Sequence, residues 1–245
     1  MLKRGGPGFV VPTSQRPSRP VKKRLVAKIT TVLQRVPLMG NLSRQKFIAQ
    51  FVIGLIKSRN VLFYEVTQHL NDAAKPTSDK TRIQRFFRDV EPDHLVLSQL
   101  LASLLPATGK LCLGLTVWDF DQCQVNILLV TVGCGAWYMP LYWELLDNYS
   151  GNANAAQRMA VLEVCVAVLG RERIGLVLGD REFIDHVWLK YFKDNELNFV
   201  MRLLKHHLLT DESGERHAIA DLSLAVGQVH RFAHVQVDGV WGPRA

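Results

Sequence analysis

The spacing of apolar residues changes at Gly109-Lys110, and this change constrains the fold more than any other feature of the chain. Before it, apolar side chains recur every three or four residues, which is typical of amphipathic helices. After it, short runs rich in Val, Ile, Leu and aromatic residues predict strands. Strands are predicted over residues 111–118, 125–132, 137–143, 173–178 and 197–203, and helices over residues 155–169 and 184–194.

Three predicted strands in succession, then helix, strand, helix and strand, indicate one mixed sheet with helices packed on it. The fold class expected here is α/β, of the α+β kind, and the order of elements is that of a ribonuclease-H-like fold. In that fold the first and fourth strands lie side by side. Gly114 and Asp180 are therefore expected to approach each other, although they are 66 residues apart.

The region before Gly109 is expected to be all helical. Helices are predicted over residues 26–36, 43–58, 61–70 and 79–87 and, last, between Pro92 and Pro106. Ser43 is the predicted N-cap of the helix over residues 43–58, and Thr77 or Ser78 that of the helix over residues 79–87. The chain is thus expected to comprise a flexible basic arm (residues 1–25), a helical DNA-binding region (residues 26–106) and a sheet-bearing core (residues 110–245).

The formal net charge of +8 is concentrated toward the N-terminal end. Residues 1–64 contain thirteen Lys and Arg and no acidic residue, and the remainder carries a net charge of −5. A basic block beside a mildly acidic body is what binding to a polyanion requires, because phosphate neutralisation releases counterions. The alternative is a solvated basic tail, above all for residues 1–20, which are rich in Gly, Pro and Ser.

The predicted helix over residues 79–87 brings basic and aromatic residues together. Its first-turn acid, Asp79, suits the helix dipole. Short helices with a basic last helix are typical of proteins that lay that helix in the DNA major groove. The alternative is a solvated charged face above a core of Ile83, Phe86 and Phe87. The candidate DNA-binding residues of this helix are Lys80, Arg82, Arg85 and Arg88.

Asp180 follows the apolar run over residues 174–178, directly after Gly179. A carboxylate at the end of a buried strand is a common way to hold a divalent metal, because the strand fixes its position while the end stays open to ligand. The alternative is an acid that caps a turn or a helix.

A series of motifs follows one order along residues 111–203. In chain order they are Trp118, Asn126-Ile127-Leu128, Pro140-Leu141-Tyr142-Trp143, Leu145-Leu146-Asp147, Gly151-Asn152-Ala153-Asn154, Arg158, Gly179-Asp180-Arg181-Glu182-Phe183-Ile184, Trp188 and Phe199-Val200-Met201-Arg202. This series resembles the core of the DDE transposases of bacterial insertion sequences, in the insertion-sequence-four group. Upstream, residues 82–87 resemble the N-terminal helical region of the same proteins.

The resemblance implies an activity, a cofactor and a partner. Such transposases cut and join phosphodiester bonds of double-stranded DNA by in-line attack, with two Mg²⁺ ions held by three carboxylates. It makes Asp180 the candidate catalytic and metal-binding residue. It makes Arg181 a candidate DNA-binding residue, which contacts phosphate or pairs with a local acid. It leaves open whether the protein is a homodimer.

Two departures from the family pattern bear on activity. The family's first catalytic Asp falls on Gly114, and the Arg after it falls on Leu115. The third carboxylate of the family lies in a Tyr-x-x-Arg-x-x-x-Glu arrangement, which these 245 residues do not contain. We therefore expect a core truncated within its β-rich insertion, whose start residues 204–245 resemble. A single carboxylate should leave Mg²⁺ weakly bound.

Other acids are not expected to complete the site. Asp119 and Asp121 are predicted to lie beyond the first strand, in the turn, and Glu182 to be a surface or helix-start acid. The rival interpretation is that Asp119 or a partner chain restores the site.

The chain has four cysteines, Cys112, Cys123, Cys134 and Cys165. They show no C-x-x-C spacing and lie in apolar contexts, which predicts reduced, buried thiols. Without an apolar signal segment after Met1, this indicates a cytoplasmic protein. The apolar stretch over residues 125–146 contains Gly133, Gly135 and Pro140 and is predicted to form strands, not a membrane span.

The sequence therefore predicts a transposase-family protein that binds DNA through its helical region and is catalytically deficient. The alternative is a DNA-binding relic or a regulator that competes with an intact transposase.

Overall fold

A computed structural model describes residues 19–70, 75–107, 110–120, 125–146, 153–180, 183–232, 234–237 and 239–241. The chain forms two compact units, Met1–Pro92 and Asp93–Ala245, which we call the helical unit and the sheet unit. The boundary lies earlier than the sequence analysis placed it, because the last helix before the strands packs on the sheet. Residues 1–18 of the expected arm lie outside the described residues, and residues 19–25 are helical rather than flexible.

The helical unit contains four described helices. They are α1 (Arg19–Leu33), α2 (Leu42–Ser58), α3 (Phe63–Leu70) and α4 (Pro76–Asp89). The N-cap of α2 is Asn41 and not Ser43: the Asn41 side chain accepts a hydrogen bond of 2.7 Å from the Ser43 N–H. Helix α4 begins before Thr77 and Ser78, because Pro76 has the backbone conformation that suits the first helical position.

A small core rich in aromatic rings holds α2, α3 and α4 together. Its buried residues are Phe47, Val66, Leu70 and Ile83, with Phe51, Leu55, Phe63 and Phe86 packed against them. Helices α2 and α3 approach closely at Gly54, where an added Cβ would lie 2.8 Å from Val66 Cγ1. Asp79 is also buried, and this burial raises the pKa of its carboxyl above the usual value although the charges of Arg82 and Lys22 act to lower it.

The sheet unit is built on a five-stranded mixed sheet of order β3-β2-β1-β4-β5. Its strands are β1 (Leu111–Phe120), β2 (Val125–Cys134), β3 (Trp137–Leu146), β4 (Ile174–Gly179) and β5 (Phe199–Met201). Strand β2 runs antiparallel to β1 and β3, whereas β4 runs parallel to β1 and β5. The expected mixed α/β architecture is confirmed, including the pairing of the first and fourth strands.

Three helices accompany this sheet. They are α5 (His94–Ala102), α6 (Ala155–Leu169) and α7 (His186–Asp194). Helix α6 has the predicted bounds, because Asn154 and Gln157 form a capping box and Gly170 ends the helix at φ 85. Alternate residues of β1, among them Leu113 and Leu115, are buried in one core with apolar residues of α6 and α7.

A second, four-stranded sheet of order β7-β6-β8-β9 follows. Its strands are β6 (Leu208–Asp211), β7 (Arg216–Ala218), β8 (Val235–Val237) and β9 (Val240–Trp241). The strand expected over residues 229–237 is shorter than predicted, because residues 229–232 are irregular and largely exposed.

Among the described residues no single helix is long and apolar enough to cross a membrane. Helices α2 and α3 have the required length and composition only when they are taken together, and a bend of 111° separates them.

Candidate nucleic-acid interface and metal position

Asp180 lies directly after β4 and is exposed. The strand before it is held in the sheet, because Gly179 at the end of β4 is paired with Met201 on β5. A carboxylate here is placed as a metal ligand requires, on a fixed strand end and in contact with solvent.

Gly114 occupies the neighbouring strand. It is in register with Leu178, so that Asp180, two residues further on, is level with Thr116 by extension of the parallel register. An added Cβ at Gly114 would meet one atom within 4 Å, the Thr131 Oγ1 at 3.0 Å. A side chain at this position would therefore require the Thr131 hydroxyl to shift slightly, and the glycine itself supplies no metal ligand.

The other acids and bases predicted near Asp180 lie elsewhere or outside the described residues. Asp119 is part of β1, where it pairs with Asn126, and does not lie in the turn beyond the strand as predicted. Asp121, Arg181 and Glu182 lie outside the described residues. Among the described side chains, this edge of the sheet offers Asp180 alone, and one carboxylate is too small a donor set to fix Mg²⁺.

An ion pair between a buried arginine and a partly exposed carboxylate stabilises the connection between β4 and α7. Arg158 on α6 is 4% exposed and its Nη2 contacts the carboxylate of Asp185. Asp185 is also the N-cap of α7, since it accepts a hydrogen bond of 2.8 Å from the Trp188 N–H. The guanidinium lies 5.6 and 5.5 Å from the ring centroids of Phe183 and Trp188. The sequence analysis did not find this role, because 27 residues separate the two charges.

A second group of possible metal ligands lies in the β6–β7 hairpin. Ligand atoms of Asp211, Glu215 and His217 lie within 4.8 Å of one another. The Asp211 carboxylate accepts hydrogen bonds from Ser213, from His217 and from backbone N–H groups, which lower its pKa to about 2. These hydrogen bonds account for the arrangement as a capped turn with a His–Asp pair.

The predicted DNA-binding residues of α4, Lys80, Arg82, Arg85 and Arg88, are all exposed. Ile83 is fully buried on the opposite face, so α4 presents its charges to solvent and its apolar side to the core of the unit. The core position predicted in the alternative interpretation holds for Phe86, which packs against the core, but not for Phe87, which is 53% exposed and stacks on Phe63.

The four basic residues differ in their surroundings. Arg88 makes two hydrogen bonds to the carboxylate of Asp89, of 2.6 and 3.1 Å, and these bonds hold the pKa of Asp89 below its usual value. Arg82 stacks instead on the ring of Phe47, with its guanidinium carbon 4.5 Å from the ring centroid. One of its N–H groups reaches Gln50 Oε1 at 3.5 Å.

An open groove of about 210 Å³ lies between α2 and α4. It is lined by Ser43, Arg44, Phe47, Arg82, Arg85, Phe86, Asp89 and Val90. Three guanidinium groups from two helices therefore meet here. The sequence analysis placed Arg44 on the outer surface but did not connect it with Arg82 and Arg85, because helical periodicity does not show which helices are neighbours.

No family model matches this chain, and no curated protein matches it.

Proposed function

We propose that the protein binds double-stranded DNA through its helical unit and is a relative of the DDE transposases that does not cleave DNA. The observation that carries the proposal is the exposed basic face of α4 on a small folded helical unit, with Ile83 buried behind it. The charge of this unit supports it, because residues 1–64 hold thirteen basic residues and no acid.

The arrangement of α3 and α4 suggests how DNA is contacted. An eight-residue helix precedes the fourteen-residue α4 and packs against it, as in proteins that place a second helix in the major groove. At 3.6 residues per turn the side opposite Ile83 carries Thr81, Arg85 and Arg88, and Gln84 lies at its edge. Thr, Gln and Arg are side chains that hydrogen-bond base edges, and the arginines beside them suit contacts to phosphate.

The topology of the sheet unit supports the proposed relationship. A β3-β2-β1-β4-β5 order with only β2 antiparallel to its neighbours is the arrangement that a ribonuclease-H-like core requires. The motif that resembles the second catalytic signature of the transposases begins at Gly179, at the end of β4. The ribonuclease-H-like assignment and the family remain our inference from this order and from those motifs.

The proposed lack of cleavage follows from Gly114. In-line phosphoryl transfer with two metal ions needs several carboxylates around the ions, because Mg²⁺ retains much of its water shell and single ligands hold it loosely. Asp180 supplies one such ligand, and Gly114 supplies none. The protein would therefore act by occupying DNA, as a competitor of an intact transposase. We place it in the cytoplasm, which the free thiols of Cys112 and Cys165 support.

Salt-dependent binding tests this function. Full-length protein is titrated into a labelled duplex by fluorescence anisotropy at several salt concentrations. We expect a slope of log K against log salt of about −3 to −4, from about four phosphate contacts. The variant Lys80→Ala/Arg82→Ala/Arg85→Ala should lose on the order of a hundredfold in affinity and most of the slope.

The matched control is Lys193→Ala/Lys205→Ala/Arg216→Ala, which removes three exposed basic residues from the sheet unit. We expect it to bind like the unaltered protein. Equal losses in the two triple variants, or no binding of the unaltered protein at low salt, would reject the proposed function.

A further inference from the structure

We propose that the groove between α2 and α4 binds one phosphate group of the DNA backbone and so fixes how α4 lies on the duplex. This inference rests on the proposed function and adds to it a defined subsite and a new residue, Arg44. The groove joins guanidinium groups of two helices around one space, and phosphate oxygens are the ligands that such planar donor groups recognise.

Arg82 is already oriented before any ligand binds. Its guanidinium carbon lies 4.5 Å from the centroid of the buried Phe47 ring, and Gln50 accepts one of its N–H groups. Stacking holds the plane of the guanidinium while leaving other donor groups available at its edge. An oriented donor loses less conformational entropy on binding than a solvated one, which makes Arg82 the anchor of the subsite.

Arg44 reaches the groove from the first turn of α2. This helix is seventeen residues long, its first turn has no acidic residue, and its N-terminus therefore keeps the positive end of the helix dipole. The Ser43 hydroxyl lines the same groove and adds a neutral donor. Arg44, Arg85 and the helix terminus thus add to the positive potential in which Arg82 lies.

The one acid in the groove does not cancel these charges. The Asp89 carboxylate is held by two hydrogen bonds from Arg88, which does not itself line the groove. The charges of Arg85 and Arg44 also act on this carboxylate, so three arginines face one acid in the groove and an excess of positive charge remains. A volume of about 210 Å³ equals that of about seven waters, which is room for a phosphate group and bridging water.

The test compares two exposed basic residues of α2 that stand two positions apart. Arg44 lines the groove and Lys46 does not. In full-length protein, Arg44→Ala should weaken duplex binding about tenfold and lower the steepness of the salt dependence by about one unit. Lys46→Ala should change affinity less than about twofold, and Arg44→Lys should fall between them, since lysine keeps the charge but not the bidentate geometry. Circular dichroism melts check that each variant is folded.

A second arm uses inorganic phosphate without DNA, with the thermal melt as its readout. Equal losses for Arg44→Ala and Lys46→Ala would overturn the subsite while salt-dependent binding by the unaltered protein still upheld the proposed function. If Arg44→Ala bound DNA normally but lost stabilisation by millimolar phosphate, the groove would be a site for a free phosphate, and its assignment to the DNA backbone would be wrong. If the unaltered protein bound no DNA, both proposals would fail.

Discussion

The helical unit and the sheet unit use charge in opposite ways. Residues 1–92 hold eighteen Lys and Arg against five Asp and Glu, a net charge of +13, whereas residues 93–245 hold twelve against seventeen, a net charge of −5. In the helical unit the arginines of α4 are exposed. In the sheet unit Arg158 is buried in an ion pair with Asp185.

This difference shows how each unit can lose its function. Binding through many surface charges is redundant, since each phosphate contact adds a modest share and the loss of one weakens binding gradually. A metal centre depends on a few ligands fixed in one place, so under the proposed function a glycine at position 114 is enough to prevent one from forming. The architecture of each unit depends on its apolar core and not on those charges.

The largest expected effect comes from a core substitution that should destabilise one unit and leave the other unchanged. Ile83→Ala removes a fully buried side chain from the small core of the helical unit and should destabilise that unit by about 2 to 5 kcal/mol, with DNA binding lost on mild heating. All five Trp residues lie in the sheet unit, so Trp fluorescence during denaturant unfolding reports that unit alone. We expect the midpoint of this Trp-monitored unfolding to be the same in Ile83→Ala and in the unaltered protein.

Ile56→Ala is the matched control, because Ile56 on α2 is 68% exposed. It should change stability by less than about 0.5 kcal/mol. If Ile83→Ala lowered the unfolding midpoint measured by Trp fluorescence as much as the midpoint measured by circular dichroism, the two units would not unfold independently.

The second prediction compares a buried ion pair with an exposed one. Asp185→Ala leaves the Arg158 guanidinium buried without its partner and removes the cap of α7, which should cost about 3 kcal/mol in the Trp-monitored unfolding of the sheet unit. Asp89→Ala breaks the exposed pair with Arg88 and should leave the melt of the helical unit unchanged. A large loss from Asp89→Ala, or none from Asp185→Ala, would contradict this contrast.

A smaller effect is expected where two helices of the helical unit touch. Gly54→Ala places a Cβ 2.8 Å from Val66 Cγ1 and 3.2 Å from the Val66 carbonyl, and should destabilise the unit by about 1 to 3 kcal/mol despite the better helix propensity of Ala. Gly40→Ala is the control, since an added Cβ there meets no atom within 4 Å. Equal melting temperatures for the two variants would show that α2 and α3 can move apart at Gly54 without loss of stability.

The sequence predicted the elements of the sheet unit well and their contacts less well. Apolar runs bounded by turns located β1 to β5, and α6 was predicted over the residues that it occupies. The pairing of β1 with β4 was expected from the ribonuclease-H-like fold whose order of elements the sequence shows, and the structure has this pairing.

Side-chain neighbours across elements could not be predicted, since they depend on how helices rotate and pack. Arg44 and Arg82 line one groove although they belong to different helices, and the sequence does not show how those helices are oriented relative to each other. Asp79 has the position of an exposed first-turn acid by spacing but is buried by tertiary packing. The end of β1 was also misplaced, because Asp119 pairs with Asn126 although charged residues usually mark a turn.

The last prediction is the absence of an effect, and it tests the sheet unit directly. The purified protein with Mg²⁺ or Mn²⁺ should neither nick nor join DNA, and Gly114→Asp alone should not restore either reaction. The new side chain requires a small shift of the Thr131 hydroxyl, which its Cβ would approach to 3.0 Å. Two carboxylates would still leave the second metal ion poorly held.

An unchanged midpoint of Trp-monitored unfolding shows that Gly114→Asp is folded, because all five Trp residues lie in the sheet unit, and Asp180→Ala is the control for any cleavage that appears. We expect activity only when Gly114→Asp is combined with a segment of a related transposase that supplies the third carboxylate of that family. Metal-dependent cleavage by the unaltered protein, lost in Asp180→Ala, would mean that other acids complete the site. The contrast between the two units would then fail, because the sheet unit would hold a working metal centre in spite of Gly114.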